Sequence, residues 1–176
     1  MSRPRLATVW LDGCSGCHMS FLDMDERLFE IGERADLVYS PLVDTKDYPE
    51  QVDVCLVEGA VPSEEDLRRI RHIRARTRTL VSFGDCAVTT NVPGMRNPIG
   101  PGPLLRRAYV ENVSDRPGVP DQVVPALLPK SLPVHQVVQV DVFIPGCPPS
   151  ADIIYGVLND LLEGRSPDTS PARFGR

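Results

Sequence analysis

Short apolar runs of strand length alternate with stretches of helical periodicity along most of the chain. Five runs are predicted to be buried strands: 6–11, 35–39, 52–57, 79–83 and 137–144. Three helices are predicted between and after them: 21–31, 63–78 and 154–161. Gly32 is the expected end of the first helix, and Ser63 is the expected cap of the second. This alternation predicts an α/β fold, a three-layer, doubly wound parallel sheet of the flavodoxin-like type.

The segment 91–136 departs from this alternation. Nine of the 18 prolines in the 176-residue chain lie between Pro93 and Pro133, and only 104–112 has a helical pattern. Segments this long without regular structure are uncommon inside a compact domain, and they tend to be functional, disordered or packed on a partner. We predict a single domain over 1–176 in which 91–136 contacts a partner. A mobile surface insertion is the alternative.

Charge and hydropathy exclude several classes of partner. The net charge of −5 provides no basic surface for nucleic acid or for an anionic membrane. No run approaches the ~18 apolar residues of a membrane-spanning helix. The first residues, Met1 to Arg5, lack the apolar stretch of a signal peptide. The sequence therefore predicts a cytoplasmic protein that binds neither nucleic acid nor membrane.

The chain has five cysteines, and four of them follow predicted strands. Cys14 and Cys17 come after the first strand, Cys86 after the fourth and Cys147 after the fifth. Because the carboxyl ends of parallel strands lie at one edge of a sheet, these four thiols are expected to converge. Cys55 lies inside the third predicted strand, where a free cysteine commonly serves as a small core residue.

Four converging thiols favour a [4Fe–4S] cluster, although other sites remain open. Zinc is also held by four cysteines, but its sites are usually built from two close pairs, whereas Cys86 and Cys147 each stand alone. A thiol–disulfide site would leave these two residues unexplained, and four unrelated cysteines are the remaining alternative. Glycines that would bring backbone N–H groups close to cluster sulfurs lie beside the thiols, at Gly13, Gly16, Gly84 and Gly146.

Motifs for nucleotide binding are missing from the sequence. Neither a Gly-x-Gly-x-x-Gly segment nor a Walker loop occurs, so nucleotide binding by this chain has no support. A sheet of this type could hold a flavin at its switch point, but no phosphate-binding loop is visible and the cysteines occupy that edge. His18 directly follows the first pair of cysteines. We expect it to support the site or to lie at the surface, and not to bind metal.

Four blocks of sequence, in this order, resemble the small subunits of [NiFe] hydrogenases. The blocks are 11–27 with Cys14-Ser15-Gly16-Cys17, Val57–Val61 with Glu58-Gly59, Phe83–Ala87 with Cys86, and Val140–Ser150 with Cys147. The resemblance is closest to the soluble, bidirectional, NAD-reducing type. The related quinone-reductase subunit of respiratory complex I has adjacent cysteines in its first block, whereas here Ser15 and Gly16 separate the pair.

The resemblance implies one proximal [4Fe–4S] cluster on Cys14, Cys17, Cys86 and Cys147. It also implies a nickel–iron active site on a separate large subunit, not on this chain. Electrons would pass to diaphorase subunits that carry flavin and iron–sulfur clusters and reduce NAD. Glu58 matches a position near the subunit interface, which implies a proton-transfer or interface role. Because no cysteine follows Cys147, a single cluster is expected. The alternatives are a stand-alone or complex I-like iron–sulfur electron carrier and a structural zinc protein.

Overall fold

The computed structural model describes residues 3–175. Its strands are β1 (Arg5–Trp10), β2 (Asp36–Tyr39), β3 (Val52–Glu58), β4 (Val61–Ser63), β5 (Thr77–Phe83), β6 (Leu127–Leu132) and β7 (Val142–Ile144). Its α-helices are α1 (Gly16–Leu22), α2 (Arg27–Arg34), α3 (Glu64–Arg76), α4 (Asp85–Thr89), α5 (Asn91–Gly94), α6 (Pro101–Arg106) and α7 (Ala151–Leu162). A π-helical turn covers Arg107–Glu111, and a 3-10 turn covers Val134–Gln136.

Five strands form a parallel sheet in the order β2-β1-β3-β5-β7. If only the strands of this sheet are counted along the chain, the order is 2-1-3-4-5, which is the flavodoxin-like order. The chain winds outward from β1 to β2 and then crosses back to β3 on the other side of β1. The topological switch point therefore lies between β1 and β3.

Side chains of the sheet enter two cores, one on each face. On β1, Leu6 packs in the core that contains residues of α1, α2 and α7. Ala7 and Val9 face the opposite core, which is built against Ile70 and Ile73 of α3. Successive residues of a strand point to opposite faces of the sheet, and residues on both faces of β1 are buried. Helices must therefore cover both faces of the sheet. The predicted three-layer α/β fold is confirmed.

The predicted start of α3 is confirmed in detail. Ser63 has extended backbone, and its hydroxyl accepts a hydrogen bond from the backbone N–H of Asp66 at 3.1 Å. Acidic residues occupy the first turn, and Arg74 and Arg76 lie in the last turn. This distribution of charge complements the helix dipole.

The helix predicted over 21–31 is wrong as a single element. The structure has α1 and α2 there, separated by a turn in which Asp25 has a positive φ of 51°. Gly32 lies inside α2, which continues to Arg34. The apolar spacing was misleading because Met24, although it lies in the turn, is still buried in the same core as its helical neighbours.

The strand predicted over 137–144 is also much shorter than expected. Only Val142–Ile144 pairs with β5, and the preceding residues have no strand structure. The apolar residues Val137, Val138 and Val140 pack against the core on the α3 side without joining the sheet. Asp141 caps this irregular stretch, because its carboxylate accepts the backbone N–H of Leu80 at 2.8 Å.

The segment 91–136 contains regular structure that the proline pattern concealed. β6 pairs antiparallel with β4 in a separate two-stranded sheet. Neither of these strands was predicted from the sequence. Arg96 fastens the segment to the domain, since its guanidinium donates to the carbonyl oxygen of Pro62 at 2.9 Å. The same guanidinium also donates to the carbonyl oxygen of Leu128, in β6 of the same segment, at 3.0 Å. The predicted helix over 104–112 is part of a helical stretch formed by α6 and the π-helical turn.

None of the helices in residues 3–175 has both the length and the apolar character needed to cross a membrane.

Candidate metal centre

The four predicted thiols lie together at the carboxyl edge of the parallel sheet. Cys14, Cys17, Cys86 and Cys147 line one cavity of about 60 Å³. The loop after β1 supplies Cys14, the start of α1 supplies Cys17, the start of α4 after β5 supplies Cys86, and the loop after β7 supplies Cys147. The first loop leaves the sheet at the switch point, where ligands of doubly wound folds bind.

The four thiols differ in their exposure to solvent. Cys17 and Cys86 are buried, whereas Cys14 and Cys147 are exposed. Burial raises the pKa of the Cys17 thiol well above its ordinary value, and the nearby Glu58 carboxylate raises it further. Burial also raises the pKa of the Cys86 thiol, and a backbone hydrogen bond from Val92 lowers this pKa by a smaller amount. Both buried thiols therefore favour the protonated form until a cation replaces the proton.

Cys55 is separate from this site. Its side chain is fully buried in the core on the α3 side of the sheet, as predicted. Burial raises its pKa to about 12. It pairs with Ala7 and Leu80 on the neighbouring strands of the sheet, and it does not line the cavity that holds the other thiols.

Gly84 leaves room for the Cys17 thiol. A Cβ atom built at Gly84 would stand 2.1 Å from Cys17 Sγ, and the glycine has a positive φ of 84°. Neither the space nor the backbone conformation would accept another residue there. Glycine is therefore needed at this position, directly after β5, for the thiol of Cys17 to fit.

Hydrogen bonds hold the third and fourth cysteine loops together. The Asp85 carboxylate is buried and accepts the backbone N–H groups of Gly146 and Gly175, each at 2.7 Å. The backbone N–H of Asp85 in turn donates to the carbonyl oxygen of Gly146 at 2.8 Å. Beside this clamp, the side-chain amide of Asn91 donates to Cys147 Sγ at 3.4 Å. Neither Asp85 nor Asn91 was predicted from the sequence, although Asp85 directly precedes Cys86.

Glu58 lies at the inner wall of the cavity. It is only 1% exposed, and its carboxylate accepts the backbone N–H groups of Cys17 at 3.4 Å and His18 at 2.9 Å. It also forms a hydrogen bond with Nδ1 of His18. Since all these donors belong to the first cysteine loop and α1, the contacts favour a role for Glu58 in supporting that loop. The proton-transfer or interface role predicted from the sequence stays a prediction.

Comparison with known proteins assigns the chain to a family. Residues 14–161 match the family model described as NADH ubiquinone oxidoreductase, 20 Kd subunit. The chain belongs to this family. It is 44% identical over 177 residues to the NAD-reducing hydrogenase HoxS subunit delta of Cupriavidus necator, an alignment that covers 98% of this chain and 84% of the relative. It is 38% identical to a chain of the F420-non-reducing vhu hydrogenase of Methanococcus voltae, with 93% of this chain and 58% of the relative covered.

A solved structure supports the same assignment. A chain of the NAD+-reducing [NiFe]-hydrogenase in the H2-reduced state matches this fold with a TM-score of 0.90, at 40% identity and with 95% of both chains covered. The predicted resemblance to small subunits of NAD-reducing [NiFe] hydrogenases is thereby confirmed. The prediction that the chain is a hydrogenase subunit is confirmed at the level of its family.

The donor set of this hydrogenase-family chain fits a cluster of several iron atoms. Cys14, Cys17, Cys86 and Cys147 surround a shared cavity. An arrangement of thiols around a volume suits an iron–sulfur cluster better than a single zinc ion, which draws its four ligands to one point. Gly84 and Asn91 add to this fit, because one makes room for a sulfur and the other donates to one.

Proposed function

We propose that this chain is the electron-transfer subunit of a cytoplasmic [NiFe] hydrogenase, and that Cys14, Cys17, Cys86 and Cys147 hold one [4Fe–4S] cluster. The observation that carries the proposal is the presence of these thiols, from three separate loops, around one cavity. When bound, such a cluster would take up and release single electrons. Four thiolates would saturate it, so the reaction of hydrogen itself belongs on another subunit.

The protein surroundings of the thiols suit this role. Cys17 and Cys86 are each 6% exposed, so the inner side of the site is shielded from water. Asn91 donates to the thiol of Cys147, and such N–H···S contacts stabilise negative charge on sulfur. The two exposed thiols, Cys14 and Cys147, leave the outer side of the site open towards a partner.

An apolar surface begins directly beside the site and supports a large-subunit partner. Val92, Met95 and Ile99 are 53%, 74% and 56% exposed, and they follow Asn91, which contacts Cys147. Exposed apolar residues of this size in a group are typical of protein–protein interfaces. We propose that the segment 91–136 packs on the large subunit, which carries the nickel–iron site, and that electrons enter this chain there.

Diaphorase subunits are the proposed acceptors of these electrons. This part of the proposal rests on the relatives, one of which is named as a subunit of an NAD-reducing hydrogenase. The acceptor subunits would carry flavin and iron–sulfur clusters and would reduce NAD.

Purification of the native complex through an affinity tag on this chain tests the proposal. We expect nickel, iron and acid-labile sulfide to copurify, with hydrogen-dependent reduction of NAD. Recovery of the chain with iron and sulfide but without a nickel-containing partner would favour a stand-alone or complex I-like electron carrier. Recovery with stoichiometric zinc and without sulfide would contradict the cluster and favour a structural zinc protein.

A further inference from the structure

The first turn of α1 is capped by a residue of a distant strand. The residue before this helix, Ser15, makes no side-chain hydrogen bond to the helix N–H groups. Glu58, at the end of β3, accepts the N–H groups of Cys17 and His18, which are the second and third residues of α1. These are the donors that an N-cap side chain normally satisfies. The sheet, and not the local loop, therefore fixes the start of the helix that carries Cys17.

His18 links this cap to the central strand of the sheet. Nδ1 of His18 is hydrogen-bonded to the carboxylate of Glu58. Nε2 of the same ring lies 3.0 Å from the hydroxyl of Thr8 on β1. The hydroxyls of Thr8 and Ser40 are hydrogen-bonded at 2.8 Å, and Ser40 also accepts the backbone N–H of Leu42 at 3.1 Å.

Every side chain of this series is shielded from water. Glu58, His18, Thr8 and Ser40 are 1%, 4%, 0% and 2% exposed. Buried polar groups are tolerated when each has a partner, and a fully satisfied network rigidifies the structure around it. The series runs from the cavity wall through β1 to the loop after β2. Its outer members, Thr8 and Ser40, do not line the cavity.

We propose that Glu58, His18 and Thr8 form a positioning network that sets the place of the Cys17 thiol and of the first-loop N–H groups relative to the bound cluster. The proposal rests on the proposed function and goes beyond it by assigning roles to residues that are not ligands. Hydrogen bonds and sulfur positions around a cluster tune its electronic structure and its potential. Thr8 should therefore affect the cluster without touching it.

The test uses the purified hydrogenase complex and a substitution at the outer side of the network. Thr8→Val keeps the shape of the side chain and removes the hydroxyl, which leaves Nε2 of His18 without its partner. Thr8→Ser keeps the hydroxyl and should restore the wild-type behaviour. Ser82→Ala is the matched control, because Ser82 is a fully buried strand residue whose hydroxyl has no partner within residues 3–175.

Iron and sulfide content, the EPR spectrum of the reduced cluster and its midpoint potential are measured for each variant. We expect Thr8→Val to retain iron and sulfide, to shift the g-values and the midpoint potential, and to lose its cluster several-fold faster to a chelator. Thr8→Ser and Ser82→Ala should match the wild type. If Thr8→Val yields no folded complex, Ser40→Ala tests the next link and should cause a smaller shift of the same sign.

Two results separate failure of this inference from failure of the proposed function. A wild-type complex whose iron and sulfide do not depend on the four cysteines would overturn the proposed function. A wild-type complex with the cluster, together with a folded Thr8→Val or Ser40→Ala variant of unchanged spectrum and potential, would overturn the positioning network alone.

Discussion

Replacement of Gly84 by alanine tests how closely the turn directly after β5 packs against the thiol of Cys17. The added Cβ would stand 2.1 Å from Cys17 Sγ, while ordinary contacts lie at 3.4–4 Å. The thiol or the turn would therefore have to move by roughly 1.3 Å, the difference between 3.4 and 2.1 Å. The backbone at φ 84° and ψ 161° adds strain, because this region is essentially restricted to glycine. Strain and overpacking together cost about 2–6 kcal/mol.

A cost of this size is less than the stability of many domains, about 5–15 kcal/mol, so the variant should fold with a distorted site. We expect the complex with Gly84→Ala to lose most of the iron and sulfide bound by this chain and most of its hydrogen-dependent reduction of NAD. Gly32→Ala is the control. Nothing lies within 4 Å of a Cβ at this position inside α2, where alanine stabilises a helix by about 0.5–1 kcal/mol. Wild-type iron content and an unchanged EPR spectrum in Gly84→Ala would refute the reasoning.

Three further predictions concern the core, the interface and a helix cap. Cys55→Ala should cost about 1 kcal/mol in unfolding free energy without changing the iron content. Because burial raises the pKa of the Cys55 thiol from 9.0 to about 12, its contribution to the free energy of unfolding is complete below about pH 9. That contribution should fall by about 1.4 kcal/mol per pH unit as the pH rises towards about 12. Denaturant titrations should show a smaller alkaline loss of stability in Cys55→Ala than in wild type, and equal losses would contradict this. Met95→Glu should weaken association with the large subunit about tenfold or more in pull-downs. Phe29→Glu, which changes an exposed residue of the separate helix α2, should leave this association unchanged. Equal effects of the two substitutions would argue against 91–136 as the interface. Ser63→Ala should lower stability by about 1 kcal/mol in thermal melts, and an unchanged melting temperature would argue against the cap.

Strand-end positions made much of the site predictable from the sequence. The apolar runs that end before Cys14, Cys86 and Cys147 are strands of the parallel sheet, and parallel strands end at one edge. The placement of these thiols therefore followed from topology alone. Cys55 was predictable for the same reason, because a cysteine in the middle of a buried strand faces a core.

Contacts between residues distant in sequence were not predictable. The cap that Glu58 provides for α1 joins positions 40 and 41 residues apart, and no local pattern encodes it. The clamp between Asp85 and Gly146 joins residues 61 apart. The second sheet was missed because β4 has only 3 residues and because both strands carry a proline, which masks strand patterns at the edge of a sheet. Such features depend on tertiary packing, which overrides local propensity.

Counting iron and acid-labile sulfide per chain, for the wild type and for single substitutions of all five cysteines, tests the central claim most directly. The account predicts that about four iron atoms per chain depend on Cys14, Cys17, Cys86 and Cys147, since each is a proposed thiolate ligand of one [4Fe–4S] cluster. Serine at any of these positions should remove the cluster or shift its EPR spectrum, and Cys55→Ala should leave both iron and spectrum unchanged. Full iron with an unchanged spectrum in the Cys86→Ser or Cys147→Ser complex, or loss of iron in Cys55→Ala, would contradict the assignment of the ligands.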